Sequence, residues 1–151
     1  MINFISTLLL SAGMLSAENY QYPSQSTLQE NSTIQDRAVV TIKVANDPKL
    51  GKILTDSKGI SLYMFTPDKQ KNNISTCYDQ CAVTWPPLLI SSGKPTLAPG
   101  IVGTLDTTNR RDNTSQVTYN GMPLYYYIKD KKPGDVYGQN IENKWFVVNP
   151  K

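Results

Sequence analysis

Histidine is absent from all 151 residues, and several classes of chemistry go with it. No Ser-His-Asp or Cys-His catalysis is available, and neither zinc nor haem iron has an imidazole ligand. Cysteine occurs twice, at Cys77 and Cys81. That spacing is neither a thioredoxin pair nor a zinc knuckle, and c-type haem attachment needs a His beside the second Cys. No basic residue precedes Arg37, so the positive region of an export signal is missing. No apolar run reaches the roughly 20 residues of a good membrane-spanning helix. Net charge is only +3, and its densest cluster, Lys129, Lys131 and Lys132, is interleaved with Asp130 and Asp135. Such a run reads as a solvated edge, so nucleic-acid binding is not expected. Any activity would rest on carboxylates, Lys, Tyr or the two thiols. The expectation is a chain that is not an enzyme and holds no cofactor.

What remains divides into three parts. Ile2 to Leu10 is apolar, and the small residues from Ser11 to Ala17 suit cleavage after Ala17, so 1–17 reads as a signal peptide. Leu10-Ser11-Ala12-Gly13 resembles the front of a lipoprotein box, but Met14 stands where a lipidated Cys would be. Residues 18–37 are rich in Gln, Ser, Asn and Thr and read as a flexible polar tether. Residues 38–151 form a single β-rich domain, long enough for a real but modest core. The expected location is extracytoplasmic, secreted or at the cell surface, with no stable membrane span after signal cleavage.

That domain contains a repeat. Gly59-Ile60-Ser61-Leu62-Tyr63-Met64-Phe65-Thr66-Pro67-Asp68 recurs 62 residues later as Gly121-Met122-Pro123-Leu124-Tyr125-Tyr126-Tyr127-Ile128-Lys129-Asp130, with Gly, Leu, Tyr and Asp identical. A Trp follows each copy, Trp85 and Trp145. Duplicated units of this kind usually complete one core rather than form two domains. Val40, Ile42 and Val44 alternate as in a half-buried strand. Further strands are expected at Leu50–Thr55, Ile60–Thr66, Ile101–Asp106, Ser115–Tyr119, Leu124–Ile128 and Lys144–Asn149. Asp56-Ser57-Lys58-Gly59 has the make-up of a hairpin loop, and Asn120-Gly121 favours a two-residue type I′ turn. Residues 91–100 and 107–114 read as loops. Ser75 or Thr76 would cap a short helix carrying Cys77, Cys81 and Trp85, ended by Pro86-Pro87. The fold class is mainly β: one compact domain of two duplicated strand-turn units with one short helix.

Eight residues are candidates for a binding site: Tyr63, Phe65, Asp68, Trp85, Tyr125, Tyr127, Asp130 and Trp145. The rings either pack as cross-strand pairs in the core or form an aromatic platform for a flat or sugar-like ligand. Asp68 and Asp130 either cap the turns that follow or pair around a cation. As a carboxylate pair they would also serve a hydrolase acting on surface glycans. Cys77 and Cys81 on one helix face read as a disulfide in an exported protein, closing a small loop of modest entropic value. Left reduced, the same two thiolates would be a soft Cu(I) or redox site, with Met64 or Met122 as extra ligands. Asn31, Asn73 and Asn113 stand in glycosylation sequons, relevant only in a glycosylating host.

Both motif copies fit Y-x-(F/W/Y)-x-x-D. Around them stand Leu50-Gly51-Lys52-Ile53-Leu54, Cys77-x-x-x-Cys81-Ala82-x-x-Trp85-Pro86-Pro87-Leu88, Asn120-Gly121-Met122-Pro123-Leu124, Pro133-Gly134-Asp135, Gly138-Gln139 and Trp145-Phe146-Val147-Val148. From about residue 48 to 150 the chain resembles the secreted-repeat family of predicted lipoproteins named for that motif. The resemblance implies an exported or surface-held domain of bacterial or archaeal type, and supplies no reaction. The leading expectation is a non-catalytic binding or scaffold domain whose partner is an unidentified cell-surface or envelope component. The alternative is a redox or copper-handling accessory using Cys77 and Cys81.

Overall fold

In the computed structural model, residues 39–69, 72 and 74–150 are described; the expected signal peptide and tether lie outside them. β1 (Thr41–Asp47) and β2 (Gly51–Thr55) form an antiparallel hairpin with Lys43 opposite Thr55 and Asp47 opposite Gly51. Its turn is closed by the Asp47 carboxylate, which accepts from the amides of Lys49 and Leu50. Asp56 closes the next loop in the same way, accepting from the Lys58 and Ile60 amides, while Gly59 supplies a φ of +86°. The chain then enters β3 (Tyr63–Phe65) and a single helical turn, α1 (Thr66–Lys69), where Pro67 sits without needing an N–H. That turn is a second helix beyond the one expected.

The helix expected from Thr76 onward is shorter. Only α2 (Gln80–Thr84) forms, because Asp79 adopts φ 53° and interrupts any continuation back to Cys77. Of the expected capping residues, Ser75 is buried and Thr76, though exposed, gives its amide and hydroxyl to Asp68. The expected loop at 91–100 contains β4 (Thr96–Leu97), which pairs in parallel with Thr41 and Ile42. The strand expected at Ile101–Asp106 is displaced to β5 (Leu105–Asn109), because Gly100 and Gly103 hold left-handed φ and the threonines Thr107 and Thr108 prefer the pleat. It pairs with β6 (Ser115–Tyr119). Asn120 and Gly121 both adopt positive φ, 48° and 83°, the two-residue turn expected of that pair, and lead into β7 (Met122–Pro123). Leu124–Ile128 forms no strand of its own and contributes a bridge at Tyr125. β8 (Trp145–Val147) ends the fold.

The described residues thus hold three small sheets, ordered β2-β1-β4, β3-β8 and β5-β6-β7. A pseudo-twofold relation organises them. Tyr63 and Tyr125 sit opposite each other and exchange both backbone hydrogen bonds, at 2.8 and 2.9 Å. Each repeat then lends its Trp-bearing segment to the other. β8 of the second repeat pairs with β3 of the first, with Met64 opposite Phe146 and Phe65 opposite Trp145. Pro87 of the first repeat pairs with Tyr125 of the second, and Tyr126 N–H donates to the Pro86 carbonyl at 2.8 Å. The correspondence extends to single bonds. Val148 N–H donates to the Leu62 carbonyl and Leu88 N–H to the Leu124 carbonyl, both at 2.9 Å; Thr66 N–H reaches Lys144 and Ile128 N–H reaches Thr84.

Two apolar clusters fill the interior. One gathers aliphatic side chains around Ile42, Leu54, Leu62, Val117 and Leu124; the other is aromatic, around Tyr63, Trp85, Tyr125 and Trp145. Because Trp85 and Trp145 are counterparts at the centre of the aromatic cluster, truncating either opens the same cavity from opposite sides. Trp85→Ala and Trp145→Ala are each expected to cost about 3–5 kcal/mol. Urea denaturation followed by far-UV circular dichroism checks this, and the two losses should be similar.

Candidate functional site

The eight candidate residues do converge, and they converge on one another. Phe65, Trp145, Trp85 and Tyr127 form a column of stacked rings with centroid separations of 4.1, 3.9 and 4.3 Å, and the two indoles are parallel to within 2°. Tyr63 meets Trp85 edge-on at 5.3 Å and Tyr125 meets Trp145 edge-on at 5.2 Å. Each such pair adds about 0.5–1.5 kcal/mol beyond the area it buries. Tyr63 and Tyr125 are fully buried, Trp85 and Trp145 nearly so, and Tyr127 is 7% exposed. Phe65, at one end of the column, is half-buried; the other five rings are enclosed and spend their faces and edges on one another. They are the core.

The polar ends of the motif cross over in the same way. Tyr63 O–H donates to Asp130 Oδ2 at 2.6 Å, and Tyr125 O–H donates to Asp68 Oδ2 at 2.5 Å. The second carboxylate oxygen of each Asp is held locally. Asp68 Oδ1 accepts from the amide and hydroxyl of Thr76, and Asp130 Oδ1 accepts from the Tyr137 amide. Asp68 and Asp130 therefore act as anchors between repeats, each occupied by the other repeat's phenol. Among the described residues no cluster of three or more acidic or Cys side chains is arranged to hold a metal ion.

Burial pushes both carboxyls above their usual range. Asp68 resists through its bonds from Thr76 and Tyr125 and the positive Arg110; Asp130 resists through Tyr63 and the Tyr137 amide, while neighbouring Asp135 pushes it further up. The partner phenols are raised well above their ordinary value of 10, first by burial and then by the adjoining carboxylate.

The two halves differ in one respect that the sequence pattern did not signal. Arg110, whose side chain is 1% exposed, is buried beside the first Asp. Its Nη1 donates to Ser75 Oγ at 2.6 Å and Gln116 Oε1 at 2.8 Å, and its Nη2 to the Cys77 carbonyl at 2.9 Å. With the Tyr125 proton on Asp68, the Ser75 hydroxyl donates to the Tyr125 oxygen at 2.8 Å, so one polar chain runs from Asp68 through Tyr125 and Ser75 to Arg110. In the sequence, Arg110 and Arg111 sit in a polar turn and look equally solvated. Gly138, part of the family pattern, has a steric role that the pattern does not show: a Cβ there would lie 2.7 Å from the Trp85 ring and 2.8 Å from Tyr63, so only glycine lets the second arm cross the aromatic column.

Cys77 and Cys81 are bridged, with Cα atoms 5.3 Å apart, and the described residues include no free thiol. In this state the pair offers no thiolate to copper. Met64 and Met122 line a shallow apolar pocket of about 220 Å³ with Tyr119 and Val148, and neither cysteine lines it. No helix among the described residues is long and apolar enough to cross a membrane.

Tyr63→Phe and Tyr125→Phe each leave a buried carboxylate oxygen without its donor, at an expected cost of about 1–3 kcal/mol. The sign of the pH effect follows from the raised phenols. Their contribution is complete below pH 10 and is lost as pH rises beyond it, because the unfolded chain releases those protons first. The two carboxyls, also raised, favour the folded state more as pH falls toward 3.8. Alkaline titration of the wild type should show Tyr63 and Tyr125 ionising only with loss of circular dichroism, whereas ionisation of both without unfolding would contradict the buried pairs.

A family model for a secreted repeat of unknown function matches the chain twice, over residues 44–89 and 106–149. No curated protein and no solved structure matches it. The two matched segments enclose the two motif copies and both Trp-bearing arms, the same units that the fold interlocks. The chain belongs to this family of secreted repeats, with two copies in one domain, and is extracytoplasmic.

Proposed function

We propose that this domain is a non-catalytic module that binds or scaffolds a component of the cell surface or envelope. The observation that carries the reading is the internal use of the repeated motif. Its two Tyr–Asp pairs bond across the repeats and its indoles stack on each other, and no buried side-chain nitrogen or oxygen among the described residues lacks a partner. A catalytic carboxylate or nucleophile needs an approach for substrate. Asp68 is fully buried and Asp130 nearly so. Recognition on this reading falls to the outer surface, where Val83 and Ile128 are exposed on either side of the Ile128–Thr84 backbone bond.

Sedimentation of labelled protein with envelope fragments from the source organism tests the proposal. The expected result is saturable retention, reduced several-fold by Val83→Asp with Ile128→Asp in a variant that keeps its circular dichroism. Breakdown of an envelope polymer by the wild type, lost in a folded Asp68→Asn, Asp130→Asn variant, would replace the scaffold with a hydrolase.

A further inference from the structure

The two repeats are joined as the subunits of a strand-exchanged dimer are joined. The contacts between them are isologous: Tyr63 and Tyr125 pair with each other, Tyr63 reaches Asp130 while Tyr125 reaches Asp68, and Trp85 stacks on Trp145. The arms cross as well, residues 145–147 pairing with the first motif and Pro86-Pro87 with the second. Neither repeat closes its own core. Covalent continuity between them runs through residues 91–104, where Gly93, Gly100 and Gly103 hold positive φ and Pro95 and Pro99 interrupt pairing. The regular structure in that connector is the two-residue β4.

We infer that a second copy of this chain is a partner of the domain, docked by reciprocal exchange of repeats. The first repeat of one copy closes on the second repeat of the other, and the remaining two repeats close in turn. Every interrepeat bond just named is remade with the same residues; β4 stays on β1, and Val102 and Thr104 stay on the second repeat through Tyr119 and Asn120, so the path changes only across Pro99 to Ile101. Exchange of identical elements is a low-cost route to dimers for this reason. The balance between closed monomer and exchanged dimer is then set by chain concentration against the effective concentration imposed by the connector. Dense display on a surface favours the dimer. The inference does not depend on the domain binding any envelope component.

A cross-linking experiment on the full chain tests it. Met64 and Phe146 are opposite each other across β3 and β8. Differently tagged Met64→Cys and Phe146→Cys chains are unfolded together with the Cys77–Cys81 bridge intact, refolded over a range of concentrations and oxidised. The expected product is a disulfide-linked heterodimer that grows with concentration and exceeds, several-fold, the yield from Met64→Cys with Val102→Cys, an exposed connector position. The pseudo-equivalent pair, Tyr126→Cys with Pro86→Cys, gives an independent reading should either first variant fail to fold. Heterodimer no greater than the Val102 control for both pairs, in chains that regain native circular dichroism, overturns the inference. Envelope binding would be untouched by that result, so the two proposals fail separately.

Discussion

At the middle of the molecule two tyrosine backbones pair while their hydroxyls reach in opposite directions. Tyr63 and Tyr125 are bound to each other through main chain and to the far repeat's aspartate through side chain. The rest of the structure depends on that double crossing. It fixes the register of the two motifs, and it places Trp85 and Trp145 face to face. It also leaves two carboxylates in the interior with no choice of partner. A buried carboxylate without hydrogen bonds is strongly unfavourable. Each aspartate therefore enforces the presence of the other repeat's phenol, which makes the two repeats thermodynamically inseparable.

The symmetry is incomplete, and the asymmetry has a physical content. On the first repeat's side, Asp68 is balanced by Arg110 through Tyr125 and Ser75, next to a disulfide that ties Cys77 to α2. On the other side no cation among the described residues joins Asp130; the Tyr137 amide and the Tyr63 hydroxyl carry it, with Gly138 N–H donating to the same hydroxyl at 3.2 Å. One half is held by charge and a covalent loop, the other by close backbone approach. Both solutions bury the same Tyr–Asp pair.

Much of this was legible in the chain, and the failures are instructive. The repeat itself, the strands at Leu50–Thr55 and Ser115–Tyr119, the Asn120-Gly121 turn and the disulfide reading of Cys77 and Cys81 rest on local rules that the structure obeys. Periodicity could not show which Trp pairs with which motif, because the exchange of arms is a tertiary event between residues such as Met64 and Phe146, 82 positions apart. Local propensity was overruled where a side chain had a stronger distant partner. Ser75 and Thr76 look like helix caps, yet they serve Tyr125, Arg110 and Asp68. The aromatic residues stand out in the sequence as a candidate site, and in the fold they pack on one another between the repeats. Gln116 and Arg110 carry no motif at all; their burial is visible only once the second hairpin is folded over the first arm.

The central claim is that two repeats form one cooperative unit held by the crossed tyrosines. Native-state hydrogen exchange in low denaturant addresses it most directly, read at the Tyr63 and Tyr125 amides, which pair only with each other's carbonyls. One opening free energy for both, equal to that of global unfolding, with Leu88 and Val148 joining them, is the predicted result. Exchange of one repeat's amides through a partial opening that leaves the other repeat protected would contradict the account.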